Sequence, residues 1–343
     1  MTKRYPFPAF PVGWYCVAFS DELRPGEMQD KKLFGQDLLL YRTQAGEAVL
    51  MDAYCPHMGA HMGRGGWVDG DNMVCPMHAF EFDKTGRCVK NAYGTKAPPK
   101  ARVRCWPLRE MHGVVLTWYH PEQQAPDWEV PDIPTQGWSR MARICWPLRS
   151  HPQETSENGV DLGHLAVVHG YGTPRLVGEP VIDGPHMTAC YQFTRQPGSF
   201  KWFTKALDVH FEASLHGLGY SLVHAKVPSL GMHTRHFVFA TPTDGEKIEL
   251  RIALSVERMA DPGKLFPGAG LLPWSWIERL VVKNGFAEYA NDVQQDFVIW
   301  ENKVYVDPPV LALGDGPVPK YRKWCRQFYP GWTAWAEAPE EAA

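Results

Sequence analysis

The sequence predicts an α+β protein, a small all-β domain followed by a larger α+β domain, and three observations lead there. From Trp14 to about Trp118, short strand-like runs are separated by Gly, Asp and Pro turns. The stretch Pro121 to Pro134 (PEQQAPDWEVPDIP) is Pro-rich and polar and reads as a linker. Beyond it, roughly Ile182 to Glu257 carries a second set of strands, with helical patterns near Asn158–His169 and from about Trp274 to Val304. The expected division is residues 1–125 and 126–343.

In the first part the clearest runs are Leu38-Leu39-Leu40-Tyr41-Arg42, Ala48-Val49-Leu50-Met51-Asp52 and Gly113-Val114-Val115-Leu116-Thr117-Trp118. In the second, Lys247-Ile248-Glu249-Leu250-Arg251-Ile252 alternates polar and apolar residues as a half-buried strand does. No repeat and no low-complexity segment interrupts either part.

With 343 residues, 44% of them hydrophobic and 21% charged, each part can bury its own core. A net charge of −3 gives no global attraction to nucleic acid. No apolar run approaches the roughly 18–20 residues that a transmembrane helix needs. The start, Met1-Thr2-Lys3-Arg4-Tyr5-Pro6, lacks the apolar segment of a secretory signal, so a cytoplasmic location is expected. The eight cysteines (Cys16, Cys55, Cys75, Cys88, Cys105, Cys145, Cys190 and Cys325) are too dispersed for a disulfide framework.

Two of those cysteines have metal-like company: Cys55-Pro56-His57 and Cys75-Pro76-Met77-His78. Two Cys and two His could form a tetrahedral zinc site, but zinc fingers generally pair Cys with Cys and His with His. Here each knuckle is mixed, as required when two Cys hold one iron and two His the other in a Rieske [2Fe–2S] cluster. Gly59, Gly63, Gly65 and Gly66 let the first loop fold tightly around such a group, and Pro56 and Pro76 stiffen both loops. His61 is left over as a supporting or surface residue.

A second constellation follows the linker: Asp161, His164 and His169 within Glu157-Asn158-Gly159-Val160-Asp161-Leu162-Gly163-His164-Leu165-Ala166-Val167-Val168-His169. Two histidines and a carboxylate are the ligand set of non-haem Fe(II) oxygenases. On an ideal helix, His164 and His169 sit roughly 140° apart, so the helix must bend, widen or end between them. Gly170 and Gly172 make an end easy. The carboxylate could come instead from the late helix, where Asp296 borders an apolar face and is preferred to Asp292. The plain alternative is that the histidines are structural and these aspartates are solvated helix charges.

Taken together, these motifs resemble the α subunit of the Rieske non-haem iron oxygenases, over nearly the whole chain. Within that family, Asp52-Ala53-Tyr54-Cys55-Pro56-His57-Met58-Gly59, Thr85-Gly86-Arg87-Cys88 and Asp315-Gly316-Pro317-Val318 are similar to the 3-ketosteroid 9α-hydroxylase oxygenase component. Glu157-Asn158-Gly159-Val160-Asp161 is similar to the Neverland-type cholesterol 7-desaturases.

The resemblance implies a Rieske domain, then a helix-grip-like catalytic domain whose antiparallel sheet is flanked by helices. It implies a [2Fe–2S] cluster on Cys55, His57, Cys75 and His78, and a mononuclear Fe(II) on His164, His169 and Asp296. Asp161 would be no ligand. It would join cluster-side and iron-side histidines across a subunit boundary in a head-to-tail trimer. The implied reaction is O2-dependent hydroxylation, desaturation or demethylation of a bulky apolar, sterol-like substrate, with electrons from NAD(P)H through a reductase or ferredoxin. An aromatic substrate, or an electron carrier with a ligand-binding domain, is the alternative.

Two further stretches bear on partners. Lys84, Arg87, Lys90, Lys96, Lys100, Arg102, Arg104 and Arg109 occur with no acidic residue between them. They read as a docking surface for an acidic ferredoxin, or as a solvated face or subunit interface. The apolar Leu265–Trp276 segment, broken by Gly and Pro, reads as a lid for a lipophilic substrate or as ordinary core.

Overall fold

The computed structural model describes residues 4–196 and 206–333, so Met1–Lys3 of the expected leaderless start lie outside it. The chain divides into two compact units. One comprises Gly13–Ile133 and Thr241–Gly245; the other comprises Met1–Val12, Pro134–Ala240 and Glu246–Ala343.

The first unit is built of small antiparallel sheets, as expected of an all-β domain. Strands β1 (Gly13–Phe19), β2 (Met28–Leu33), β3 (Gln36–Arg42), β4 (Ala48–Asp52), β5 (Trp67–Asp69), β6 (Asn72–Val74), β7 (Glu81–Phe82), β8 (Cys88–Lys90), β9 (Leu108–Met111) and β10 (Val114–Tyr119) follow in order. They form three sheets, β1-β10-β9, β2-β3-β4 and β5-β6-β7-β8. Leu38 to Tyr41 of β3 are fully buried, which explains why that run is apolar at every position rather than alternating. Leu39, Met51, Met62, Met73, Phe80 and Phe82 join Cys55 and Cys75 in one core cluster.

The Pro-rich stretch is more than a linker. The indole of Trp14 donates to the Trp128 carbonyl at 2.9 Å, and Trp118 packs edge-on against the Trp128 ring. These contacts hold the stretch through Ile133 in the first unit.

The second unit is an antiparallel sheet with helices against it. Its elements are β11 (Ala142–Leu148), α1 (Pro152–Glu157), α2 (Leu162–Val167), β12 (Gly172–Leu176), β13 (Val181–Asp183), β14 (His186–Arg195), β15 (Leu207–His216), β16 (Tyr220–Val227), β17 (Met232–Pro242), β18 (Ile248–Val256), α3 (Trp274–Gln295), α4 (Phe297–Asn302) and α5 (Val318–Cys325). The strand order is β11-β18-β17-β16-β15-β14-β12, with β13 paired to β14. Period-2 alternation puts Val209, Phe211, Ala213 and Leu215 of β15 on the face that Val223, Ala225 and Val227 of β16 share. Ile277 and Val281 of α3 pack with Leu254 and Val256 of β18, while Ala290 and Val293 pack with Ile248, Leu250 and Ile252. Burial of these side chains is the main force fixing α3 to the sheet, worth roughly 1.5–3 kcal/mol for each large residue.

Two expected helices differ in extent. The Asn158–His169 pattern resolves into a turn at 158–160, just after α1, and the six-residue α2, which ends before His169. The pattern from Trp274 to Val304 breaks at Asp296, where α3 passes into α4. Among the described residues, no helix is long and apolar enough to cross a membrane.

Candidate active site

The two Cys-His knuckles fold into matching loops. The Cys55 N–H donates to the Ala60 carbonyl at 2.9 Å and the Gly59 N–H to the Cys55 carbonyl at 2.9 Å. The second loop repeats this ring, Cys75 N–H to Phe80 carbonyl at 2.9 Å and Ala79 N–H to Cys75 carbonyl at 3.1 Å. The fifth residue of each loop takes a left-handed backbone, φ +79° at Gly59 and +47° at Ala79, easy for glycine and strained for alanine. Each loop therefore sets its cysteine at the base and its histidine toward the rim. Cys55 and Cys75 are buried, His57 is exposed and His78 half-buried. The His57 and His78 rings lie 4.7 Å apart, and His57 stacks on Phe80 at 4.3 Å.

Burial pushes the Cys55 thiol up to about 11, the Cys75 and Cys88 sulfurs add to this, and the His57 backbone N–H opposes it. Such a thiol stays protonated unless a cation takes its place, since a coordinating cation inverts the local charge preference. Two adjacent buried thiols below two imidazoles are the donor set of a mixed-ligand iron–sulfur cluster, and the residues fit that group.

In the second unit, the ligand atoms of His164, His169 and Asp296 all lie within 4.8 Å of one another. Three local devices bring them together. Asp161 caps α2, its carboxylate accepting the His164 N–H at 3.2 Å, and its own carbonyl lies 2.6 Å from His164 Nδ1. Because α2 stops early, His169 turns back, its ring centroid 5.1 Å from that of His164. The break between α3 and α4 places Asp296 Oδ2 3.6 Å from His169 Nε2. Asp296 is buried, and burial raises its carboxyl above the usual range against the pull of His169, His164 and an Asn158 hydrogen bond.

A carbonyl can only accept, so His164 Nδ1 carries the hydrogen, and Gln295 Oε1, 3.0 Å from His169 Nδ1, imposes the same tautomer there. Both rings are left with a lone pair on Nε2, and that of His169 faces the Asp296 carboxylate. Two imidazoles and one carboxylate converging on one point fit a facial metal site with open positions. Asp161 is not part of that triad, and Asp292 is held elsewhere, accepting from Tyr171 at 2.7 Å and Arg195 at 2.6 Å.

Asp315-Gly316 buttresses the Asp161 turn. Leu162 N–H donates to the Asp315 carbonyl at 3.1 Å, and Gly316, at φ +90°, lies so close that a Cβ would meet the Val160 carbonyl at 2.3 Å.

The triad opens into a cavity of about 230 Å³. Its walls are chiefly apolar, with Phe193, Phe211, Val223, Leu254 and Val281 among them. Sequence reasoning missed the residues that orient the triad, Asn158 and Gln295, and the polar side chains in the cavity wall. Their partners are remote in sequence, so no local spacing signals them. Leu265 of the expected lid lines the cavity, Ala269 is buried beside it in the core, and Leu271 and Trp276 are exposed. The segment is thus partly core and partly surface.

Known proteins are similar to this chain over most of its length. Residues 13–107 match the Rieske [2Fe-2S] domain, and residues 117–329 match the 3-Ketosteroid 9alpha-hydroxylase C-terminal domain. The cholesterol 7-desaturase of Caenorhabditis elegans is 30% identical, over 94% of this chain and 77% of its own. The 3-ketosteroid-9-alpha-monooxygenase oxygenase component of Rhodococcus rhodochrous is 28% identical, over 93% and 81%. Dicamba monooxygenase, in a crystal structure with non-heme iron and dicamba, shares the fold at TM-score 0.65 and 19% identity, covering 92% of this chain and 96% of that one.

Proposed function

This chain belongs to the steroid and sterol branch of the Rieske oxygenases, and from that premise we propose that it oxidises a sterol or steroid with O2, drawing electrons from NAD(P)H through a separate reductase or ferredoxin. The observation that carries the reading is the opening of a chiefly apolar cavity onto His164, His169 and Asp296. A pure electron carrier has no use for that triad.

Cys55 and Cys75 would hold one iron of the cluster, His57 and His78 the other, and His164, His169 and Asp296 the mononuclear iron. When bound, these groups supply stored electrons and O2 activation, which no side chain provides. The chain's own part is orientation and exclusion. Asp161 and Gln295 keep hydrogens on the Nδ1 atoms of His164 and His169, leaving Nε2 as the donor. The apolar walls hold the substrate rings and keep bulk water from the site.

The Asp161 carboxylate is proposed to connect a neighbouring subunit's cluster to this triad within a head-to-tail trimer. In support, its side chain keeps 37% of its surface exposed at the start of α2 while its backbone touches His164. A cytoplasmic setting, where thiols stay reduced, fits the use of Cys55 and Cys75 as iron ligands.

The test is iron content and EPR of anaerobically purified, dithionite-reduced protein beside His164→Ala, then product analysis on a sterol and an aromatic panel. About three irons per chain, one lost in the variant with the Rieske signal retained, supports both centres. About two irons unaffected by the variant would favour the carrier, and turnover confined to the aromatic panel would replace the sterol.

A further inference from the structure

One corner of the cavity is polar. Arg195, from β14, reaches two carboxylates on α3: its Nη2 lies 2.6 Å from Asp292 Oδ2 and 3.6 Å from Glu288 Oε2. The Tyr171 hydroxyl donates to the same Asp292 oxygen at 2.7 Å, and the Arg195 guanidinium sits 5.2 Å from the Tyr171 ring centre. His236 of β17 completes the corner, its Nε2 bonded to Thr234 Oγ1 at 2.8 Å. Burial keeps His236 neutral, lowering it to about 3. All of these residues line the cavity.

These groups satisfy one another, and they also present charged donors and acceptors to whatever fills an otherwise apolar cavity. Its composition restricts what it can accept. Among the described residues one guanidinium faces two carboxylates, an arrangement unfavourable to a carboxylate or sulfate. A ketone oxygen can accept from Arg195 but gives the carboxylates no proton. An alcohol does both: its oxygen accepts from the five-donor guanidinium fork, and its O–H donates to a carboxylate with lone pairs to spare.

The corner is also near the triad. Asp292 and Glu288 precede Asp296 on α3 by about one and two turns, roughly 6 and 12 Å along the axis. The Tyr171 ring centre is 5.4 Å from that of His169.

We propose that Arg195, Glu288 and Asp292 anchor the lone hydroxyl of a neutral sterol, so that the carbon presented to His164, His169 and Asp296 belongs to the ring system and not to the side chain. This rests on the sterol reading above and narrows it, preferring a hydroxysterol to the corresponding ketone.

Equilibrium binding to the anaerobic holoenzyme, followed by tryptophan fluorescence, tests this with four probes: a 3-hydroxysterol, its 3-deoxy analogue, its 3-ketone and its 3-sulfate. The hydroxysterol should bind at least about tenfold more tightly than the deoxy analogue, and more tightly than the ketone and the sulfate. In Glu288→Gln and Arg195→Met, the hydroxyl-to-deoxy ratio should fall toward one while deoxy binding is kept, which a merely structural role would not produce. The wild-type ratio needs no variant to fold and is decisive by itself. Equal wild-type binding of hydroxyl and deoxy sterols overturns the anchor and leaves the sterol reading standing, as does tightest binding of the sulfate. Failure of every sterol to bind an iron-loaded protein removes the sterol reading, and the anchor with it.

Discussion

The Nδ1 of His169 lies 3.0 Å from the side-chain oxygen of Gln295, and that contact settles which nitrogen His169 turns toward Asp296. Gln295 and Asp296 are neighbours at the end of α3, so one backbone turn supplies both a carboxylate and the group that orients its histidine partner.

Gln295→Leu should therefore weaken Fe(II) binding at the triad by about 10–100-fold, with the Rieske EPR signal unchanged. Titration of the iron-depleted protein with Fe(II) measures this. Unaltered affinity would mean that His169 is oriented by something else.

Asp161 caps α2 and is proposed to carry electrons between subunits, two roles that substitution separates. Asp161→Ala removes the α2 cap and should cost roughly 0.5–2 kcal/mol of stability, read from the urea midpoint. Asp161→Asn keeps a capping oxygen. If the carboxylate carries electrons between subunits, both variants should hold a reducible cluster yet fail to reoxidise it when substrate and O2 are added. Normal reoxidation in Asp161→Asn would remove the carboxylate from the electron path.

The basic stretch is partly neutralised within the chain. Lys84 pairs with Glu47 at 2.5 Å, Lys90 with Glu81 at 3.3 Å and Arg109 with Glu129 at 2.6 Å. Lys96, Lys100 and Arg102 stay exposed. If they receive an acidic ferredoxin, the rate of cluster reduction should drop steeply as salt rises beyond about 0.1 M, where the screening length is ~10 Å. Lys96→Glu with Lys100→Glu should lower the rate at low salt only. A rate indifferent to salt would eliminate docking through this stretch.

Stability should fall in acid. His151 and His216 are buried, and burial lowers both from 6.5 to about 3. The unfolded chain binds their protons below about pH 6.5 while the folded chain refuses them until about 3, so stability is lost as pH falls through that window. Near pH 4.5 the loss is roughly 2–3 kcal/mol per histidine. Urea unfolding across this range checks it, and a His216→Leu variant should show a shallower acid limb. A midpoint constant from about pH 7 to 4.5 would contradict the assignment.

How much of this the sequence discloses depends on how far apart the partners lie. The Cys-Pro-His and Cys-Pro-Met-His knuckles are legible because each loop carries its donors within four residues. The strands read well wherever one face is buried. The helix over Asn158–His169 reads too long, since periodicity cannot weigh the Asp161 cap against the pattern running through it. Asp292 and Asp296 lie one turn apart on the same helix, so spacing alone cannot rank them. What separates them in space is Arg195, 97 positions before Asp292, which claims one carboxylate and leaves the other to the histidines. That choice belongs to tertiary structure, as do Tyr171 and Gln295.

The Glu288, Asp292, Asp296 progression along α3 has an evolutionary consequence. With iron held at Asp296 and substrate at Glu288 and Asp292, as proposed, reagent and recognition would be graded along a single rigid rod, one turn apart, with the chemistry fixed at its end. Substitution on an upstream turn can retune which molecule is held, and at what reach, without disturbing the terminal carboxylate. A one-residue insertion in α3 is another matter, because it would swing every upstream turn by about 100° relative to Asp296. Descendants of this scaffold should accordingly diversify by point changes along the rod while its length stays frozen.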